Sequence, residues 1–518
     1  MQSKCMSAAT LIVAVVFATE VARAGDSEGV SLTIYSSAEP GGIPATLYQP
    51  ALQKSAGMGY RENMAIPGYA QVRQQRKVAL KQGAAALRFT DVAALIEPTT
   101  VMFNSLTDPA TSVLEQSFEF DLVSPDKLLD RYIDRMIRVT HMKPDGNRDV
   151  IDGTLLSAAQ GKLILGGGEK NPLRILAGEI ESIELAELPG GLITRPTLVW
   201  SLNSPKGGDQ LVRVTYQTQG MTWWADYNVL FTDDARDANR GTLDVGAWVS
   251  IINQSGATYP DARLKLIAGD VQRIEPQQNV YLGMASRQMP AAAPEPQFAE
   301  KAFLEYHLYT LQRPTTIPQN STKQIELFPQ AHNVPCEKLL VYDGAPVPRW
   351  WGSGLRTDRE LGIAMNTKVG VYLRFKNDEQ SGMGMPLPSG RVRVSKLDPA
   401  DASLEFVGED AIDHTPRGEK VLLKIGSAFD VVGERRQTDF QLDTNRHRMD
   451  ESFEIKVRNH KDAAVKVVIK ESLIRCGEWH ITKKSHDFEK QDVHAVHFPV
   501  EIAKDGEAVV TYTVRYEW

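Results

Sequence analysis

The stretch from Thr222 to Arg273 has a two-residue period that constrains it to a β-sheet more strongly than any other feature of the chain. Apolar residues occupy every second position of its central segment: Leu243, Val245, Ala247, Val249 and Ile251. The positions between them hold Asp244, Gly246, Trp248 and Ser250. Successive side chains of a strand point to opposite faces, so one set lies against a core and the other faces away. Turn residues at 253–256 then end the run, which predicts part of a β-sandwich.

The same hairpin pattern occurs three times. An alternating strand, an asparagine, a polar turn and a second alternating strand follow one another at Asn253, Asn377 and Asn459. Sandwich domains are built from such hairpins. We therefore predict an all-β fold of several β-sandwiches.

One helix and one small barrel interrupt this pattern. Ser124 is a predicted N-cap, Pro125 occupies the first helical position, and Asp126 favours the positive end of the helix. Five short strands separated by glycines follow within about fifty residues, which predicts a small SH3-like or Sm-like barrel. Such barrels bind RNA or peptides elsewhere, but packing against the rest of the chain is the simpler interpretation.

The chain of 518 residues, 42% of them hydrophobic, is long enough for about three or four domains. We divide it into a signal peptide (1–24), an N-terminal β region (25–123), the helix with its barrel (124–190) and a β-sandwich (191–273). A Pro/Ala-rich linker (274–302), a second sandwich (303–440) and a C-terminal part of a sandwich (441–518) complete the division.

The N-terminus predicts export to the periplasm or the cell surface. An apolar run at 8–18 precedes Ala22-Arg23-Ala24, which has the A-x-A form of a cleavage site. No later segment is long enough to span a bilayer as an apolar helix. The net charge of −7 argues against nucleic acid or an anionic membrane as the main partner.

The mature chain would hold two cysteines, Cys336 and Cys476, because Cys5 leaves with the signal peptide. An oxidising compartment permits a disulfide between them. The closed loop of roughly 140 residues would make the bridge worth about 4–5 kcal/mol in the loop-entropy model. Two unrelated buried thiols are the alternative, and spacing does not decide between them.

Five stretches carry a family resemblance: 191–200, 254–273, 305–316, 406–440 and 451–462. With these, the chain resembles a family of exported bacterial proteins catalogued as a domain of unknown function, which is shared with the C-terminal part of mucoidy-inhibitor-like proteins. The resemblance implies a mostly β fold and a location in the cell envelope, and it implies no reaction. The mucoidy-inhibitor-like proteins carry a long coiled coil near the N-terminus, whereas this chain has no heptad run.

Seven residues in the family-like segment 406–440 combine acids, a histidine and cations, the groups of general acid–base catalysis. They are Asp410, Asp413, His414, Arg417, Glu434, Arg435 and Arg436. A network of salt bridges at turns is the alternative interpretation. No nucleophile-elbow, zinc-protease, phosphate-loop, C-x-x-C or dinucleotide motif occurs, so we predict no cofactor.

A second candidate is a calcium loop formed by Asp233, Asp234, Asp237 and Asn239, because calcium prefers clustered oxygen ligands. The spacing does not fit an EF-hand, and a solvated loop is the alternative. Two tryptophan pairs, Trp223-Trp224 and Trp350-Trp351, place aromatic rings on both faces of a strand. Core packing accounts for one ring of each pair, and the other is a candidate contact residue.

Three functions stay open at this point. The first is an exported, non-catalytic protein that binds or scaffolds an envelope protein or polysaccharide. The second is a hydrolase or metal-assisted enzyme acting on envelope polymers, with its site between Asp410 and Arg436. The third is a calcium-stabilised adhesin.

Overall fold

The computed structural model describes residues 28–35, 43, 66–121, 123–142, 146–159, 161–166, 172–176, 180–187, 193–269, 298–303, 306–346, 354–363 and 366–518. The predicted signal peptide lies outside the described residues, as do Trp350, Trp351 and positions 274–297 of the predicted linker. About 67% of the described residues are in strands and 3% in helices, so the predicted all-β fold is confirmed.

Strands follow one another along the chain with a single short α-helix among the described elements. The first half contains β1 (Gly29–Tyr35), β2 (Tyr69–Leu80), β3 (Gly83–Thr90), β4 (Ile96–Ser105), β5 (Ser112–Glu119), α1 (Pro125–Arg131), β6 (Met136–Met142), β7 (Arg148–Ala159), β8 (Lys162–Gly166), β9 (Arg174–Leu176), β10 (Ile180–Glu184), β11 (Thr197–Ser204), β12 (Gly208–Gln219), β13 (Met221–Asp233), β14 (Arg240–Asn253) and β15 (Tyr259–Ala268). The second half contains β16 (Phe298–Phe303), β17 (Tyr306–Leu311), β18 (Thr315–Ile317), β19 (Ser321–Asp343), β20 (Lys368–Lys376), β21 (Gly390–Leu397), β22 (Leu404–Ile412), β23 (Lys420–Asp443), β24 (Arg448–Asn459), β25 (Val465–Ser472), β26 (Trp479–Lys484), β27 (Glu489–Lys490), β28 (Ala495–Ile502) and β29 (Glu507–Glu517), with short 3-10 turns at Arg359–Gly362 and Glu379–Ser381.

The N-terminal part is a sandwich of two sheets. One has the order β16-β17-β15-β1-β2-β12-β4, with β18 paired to β15, and the other has the order β3-β11-β5. Leu198, Trp200 and Leu202 alternate along β11 and are fully buried. The Trp200 ring lies 5.1 Å from the ring of Phe103 on β4, which joins the two sheets through side chains.

The predicted helix is present, and the predicted barrel region forms one five-stranded sheet. Ser124 caps α1 by accepting a hydrogen bond from the Lys127 N–H, and Pro125 stands at its start. The strands β6 to β9 form a meander, and β10 returns to pair with β6. Val139, Leu155 and Leu165 fill the core of this unit. No helix among the described residues has the length and apolar character needed to cross a membrane.

The largest sheet has thirteen strands, which are β13, β14 and strands of the C-terminal half of the chain. Its main path is β22-β21-β13-β14-β19-β20-β23-β24-β29-β26, and β25 joins it through β19. Two large groups of buried apolar side chains pack on this sheet: the first core, which includes Trp200 and Tyr227, and the second core, which includes Phe453 and Tyr512. The long strands β19 and β23 cross from the first core to the second: β19 pairs first with β14 and then with β25, and β23 pairs first with β20 and then with β24. Strands from all three predicted sandwich units therefore share one sheet. Alternation locates a strand, but it does not identify the partner of that strand.

The first seven strands of this path form a curved sheet, which we call the curled sheet, and its edge strand β22 contacts β23. The Asp410 Oδ2 atom accepts a hydrogen bond from the Lys424 N–H at 2.7 Å. A Cβ atom at Gly408 would lie 2.0 Å from the Ile425 carbonyl oxygen, so only glycine fits at this contact. The inner face of the curl, which includes Ala225, Tyr227 and Val249, belongs to the first core.

The three repeated asparagines are fully buried and make equivalent bonds. The Nδ2 group of Asn253 donates to the Ala257 carbonyl at 2.8 Å, and that of Asn459 donates to the Ala463 carbonyl at 2.9 Å. The Nδ2 group of Asn377 likewise donates to the Met385 carbonyl at 2.9 Å. Each side chain thus supplies donors to loop carbonyls that no strand pairs, which explains why the same residue ends each of these strands.

The disulfide considered for Cys336 and Cys476 does not form in the structure, where both are free thiols. Cys336 belongs to the first core and Cys476 packs against the second. Burial raises the pKa of the Cys336 thiol to about 12. The loop-entropy argument gives the value of a bridge but says nothing about where the two thiols lie, so it could not exclude this outcome.

Candidate functional site

The acid–base candidates at 410–417 each make local contacts. Asp410 accepts the N–H groups of Ala411 and Lys424, and His414 Nδ1 accepts the N–H of Ser389 at 3.0 Å. The main-chain carbonyl of Asp413, and not its carboxylate, accepts the Thr415 hydroxyl, and Arg417 pairs with Glu379 at 2.8 Å. These bonds fasten the turn that follows β22.

The candidates at 434–436 have different partners on β23. Glu434 pairs with Arg458 and Arg436 pairs with Glu454, each at 3.3 Å. Arg435 points the opposite way, into the second core, where its Nε donates to Glu471 Oε1 at 3.0 Å. The structure therefore does not bring the seven residues together around one point, as the proposed active site would require.

Arg435 is part of a buried ionic cluster. Its guanidinium lies over the Phe453 ring, and the Tyr512 hydroxyl donates to the same Glu471 carboxylate. A second pair lies in the same core: Arg475 Nε and Nη2 each donate to Glu451 at 2.6 Å. Both pairs are almost fully buried, and burial raises the pKa of Tyr512 well above its ordinary value.

The calcium candidates also have protein partners. Asp233 lies between Lys338 and Lys396, with an N–O distance of 2.5 Å to each. Asp234 and Asp237 accept N–H groups within their own loop, and the Asn239 Oδ1 atom accepts the Lys466 N–H at 3.0 Å. Among the described residues, no three His, Cys, Asp or Glu side chains stand close enough to hold a metal ion.

A cleft of about 530 Å³ opens where the two cores meet. Asn239, Lys338, Asp430, His460 and Lys461 contribute to its lining. None of the seven acid–base candidates lines this cleft. Its charged groups have both signs and select no single ligand chemistry.

The outer face of the curled sheet carries the arrangement best suited to binding. The inward residues of β13 and β14 lie in the first core, so the residues between them face outward. Two rows of outward residues cross the strands. The first, which we call the Trp248 row, contains Arg391, Asp226, Trp248 and Glu326 on neighbouring strands, and the second contains Glu409, Arg393, Asn228 and Gly246.

Asp226 organises the Trp248 row. Its side chain is only 10% exposed. It accepts hydrogen bonds from the Trp224 indole at 2.7 Å, from the Ser250 hydroxyl at 3.3 Å and from Arg393 Nη1 at 3.3 Å. Three donors on three strands therefore hold this carboxylate, and they fix the positions of Trp224 and Arg393 beside it.

Trp248 and Asn228 offer unused donors on this face. Trp248 is 39% exposed and Asn228 is exposed. Neither side chain has a hydrogen-bond partner within the described part of the chain. Between them lies Gly246, where an added Cβ atom would meet only the Asn228 carbonyl oxygen at 3.8 Å. The result is an aromatic ring beside an open patch of sheet with amide and indole donors at its edge.

The sequence pattern identified part of this face. Of the pair Trp223-Trp224, Trp223 is buried with its indole bonded to the Ile267 carbonyl, and Trp224 is half-buried on the outer face. Trp248, Asn228 and Arg391 were not among the predicted site residues. The available signal was a tryptophan at an outward position of an otherwise clean alternation, close to a glycine.

A scan against models of protein families finds no match to this chain, and a search of curated proteins finds no significantly similar sequence. The family resemblance described above therefore stays a prediction.

Proposed function

We propose that this chain is a non-catalytic binding protein of the bacterial cell envelope, and that it binds polysaccharide through the outer face formed by β21, β13 and β14. The observation that carries the proposal is the exposed Trp248 ring beside the open patch at Gly246. Tryptophan combines a large apolar ring with an indole N–H donor and is enriched at interaction surfaces.

The chemistry of this surface suits a sugar. One face of a sugar ring presents C–H groups, which pack on an indole, while its hydroxyl groups both donate and accept hydrogen bonds. Asn228 offers an amide that does both, and the Trp248 indole offers a donor. The bare strand at Gly246 leaves room for the ring to lie flat.

A non-catalytic role is supported by the partners of the candidate acids and bases. Hydrolysis of a glycosidic bond needs two carboxyl groups facing each other across the bond, with one of them able to give up a proton. Asp226 is held by three donors, and the carboxylates at 410 and 434 have partners on separate strands.

Export is the second part of the proposal, and it rests on the sequence from Lys4 to Ala24. Mass spectrometry of the protein recovered from the envelope fraction of the producing cell tests it directly. We expect a chain that begins at Gly25, and an intact N-terminus on cytoplasmic material would contradict the assignment.

The binding proposal is tested by affinity electrophoresis of the 25–518 chain through gels that contain neutral or acidic polysaccharides. We expect retardation by at least one of them, and about a tenfold loss of affinity in Trp248→Ala, as for the loss of a central aromatic contact. Gly246→Gln removes no side chain but fills the open patch, so it should weaken binding as well.

Phe429→Ala is the matched control, because Phe429 is an aromatic residue that is 94% exposed on β23, a strand that does not form part of this face. It should bind like the parent chain. Equal affinities of the parent and Trp248→Ala, or no retardation by any polysaccharide, would contradict the proposal. A rise in reducing ends during incubation would point to hydrolysis instead.

A further inference from the structure

We infer that the bound polysaccharide is acidic and that Arg391 receives a carboxylate of one of its sugar residues. The inference rests on the proposed function, since it names the class of ligand for the same face. It comes from the difference between two arginines, Arg391 and Arg393, that lie two residues apart on one strand.

Arg393 is engaged by the protein. Its Nη1 donates to Asp226 at 3.3 Å, and its Nε lies 3.8 Å from Glu409. Arg391 is not engaged in this way. Its Nε lies 3.7 Å from Asp226, which is too long for a hydrogen bond, and that buried Nε has no partner. The Arg391 guanidinium makes no hydrogen bond to any of the described residues.

An arginine without an acceptor is costly at a half-buried position. A guanidinium has five N–H donors, and a buried donor that loses water without gaining an acceptor destabilises the fold. The side chain of Arg391 is 29% exposed, so its terminal amino groups remain within reach of a ligand. A carboxylate matches the two parallel donors of a guanidinium better than any neutral sugar hydroxyl.

The charges around Arg391 permit the carboxylate of a ligand to bind to its guanidinium. Asp226 is its nearest carboxylate, and three other donors already hold that group. Glu409 lies opposite Arg393, and the positive charge of that arginine partly balances the negative charge of Glu409. Glu326 lies three strands from Arg391, about 14 Å across the sheet, which is beyond the screening length of about 8 Å at physiological salt.

The distance between Arg391 and Trp248 also suits a sugar ring that contacts both side chains. Arg391 and Trp248 flank Asp226 in the Trp248 row, two strand spacings or about 10 Å apart at their Cα atoms. Both side chains are long enough to reach over Asp226 from opposite sides. A sugar ring resting on the indole would therefore carry a ring carboxylate toward the guanidinium.

The test compares oligogalacturonate with its carboxyl-reduced counterpart of equal length, by calorimetry on the 25–518 chain. We expect the acidic form to bind about ten- to a hundredfold more tightly, the range for a charge-assisted hydrogen bond. In Arg391→Gln the preference for the acidic form should disappear, and Arg391→Lys should restore only part of it, because lysine lacks the planar pair of donors. Trp248→Ala should weaken both ligands equally.

Each other outcome has a definite meaning. If both forms bind equally well to the parent chain and Trp248→Ala still weakens them, the acidic assignment is wrong and the proposed function stands. If a sulfated galactan binds as tightly as oligogalacturonate, the site attracts any anion and the carboxylate assignment is wrong. If Arg391→Gln keeps the preference, another residue is the receptor and the inference is wrong. If no ligand binds, the inference and the proposed function both fail.

Discussion

Two of the regions in which arginine and carboxylate side chains lie close together differ in how the arginine is paired. In the second core, Arg435 with Glu471 and Arg475 with Glu451 form pairs that are almost fully buried. Arg475 donates to Glu451 at 2.6 Å and Arg435 donates to Glu471 at 3.0 Å, and Tyr512 adds a further donor to Glu471. On the outer face of the curled sheet, Asp226 is held by three donors, but the neighbouring Arg391 only approaches it, at 3.7 Å, and its buried Nε has no hydrogen-bond acceptor.

The difference separates two uses of the same chemistry. A buried charge must be paired by the protein, because leaving it unpaired costs several kcal/mol. A charge at a half-exposed position keeps part of its hydration, so leaving it without a hydrogen-bonded acceptor costs less than in a core, and the guanidinium there is available to a ligand. We therefore assign the pairs in the second core to stability and the Trp248 row to binding.

The largest expected effect comes from breaking a buried pair. Glu471→Leu leaves the Arg435 charge inside the second core, with its side chain 5% exposed, and removes the acceptor of the Tyr512 hydroxyl. We expect a loss of about 3–5 kcal/mol in the free energy of unfolding. Urea unfolding followed by circular dichroism measures it.

The double variant Arg435→Met with Glu471→Leu is the control for this prediction. Replacing both charges by apolar groups removes the unpaired ion, so most of the lost stability should return. A loss of less than about 1 kcal/mol in the single variant would mean that the pair contributes no more than a surface ion pair, and it would weaken the contrast between the two regions.

The second-largest expected effect comes from removing a buried asparagine. Asn253 ends β14 in the curled sheet, and Asn459 ends β24 beside the second core. Asn253→Ala and Asn459→Ala each leave loop carbonyls without a donor, so each should cost about 1–3 kcal/mol in the free energy of unfolding. Thermal unfolding of the two variants checks this. Clearly unequal losses would mean that the two turns are not equivalent in energy, despite their matching bonds.

The smallest effect concerns Asp233 at the surface. Burial raises the pKa of Asp233, but hydrogen bonds and charge from Lys338 and Lys396 more than offset this and hold the pKa below its ordinary value of 3.8. Folding therefore favours the ionised form. The stabilisation is present above the ordinary pKa and is lost as the pH falls through the lowered one.

We expect Asp233→Asn to cost at most about 1 kcal/mol near neutral pH, because water screens a carboxylate that is a third exposed. The difference between parent and variant should shrink as the pH falls below about 4. Urea unfolding across this pH range provides the measurement, and a difference that grows on acidification would contradict the sign.

The strands and the helix could be predicted from the sequence because their signals are local. Alternation marked β14 and β29, and Ser124 with Pro125 marked the start of α1. The sheet order could not be predicted, since nothing in the spacing of β19 shows that it pairs with β14 at one end and with β25 at the other. The same limit applied to Cys336 and Cys476.

Only part of the candidate site could be predicted from the sequence. Trp248 and Gly246 stood at outward positions of a recognised strand, so their exposure followed from the alternation. Arg391 lies about 140 residues further along the chain, and its position opposite Asp226 depends on the parallel pairing of β13 with β21. Acids and bases that cluster in sequence, such as those at 410–417 and 434–436, proved to have separate partners instead.

The most direct test of the central claim is fluorine NMR of the chain labelled with 5-fluorotryptophan, titrated with oligogalacturonate. Trp248→Phe assigns the Trp248 resonance by its loss. We expect that resonance to shift on titration, while those of the buried Trp200 and Trp223, whose indoles bond to Gln116 and Ile267, stay in place. An unchanged Trp248 resonance in the presence of bound oligosaccharide would contradict the assignment of the outer face as the binding surface.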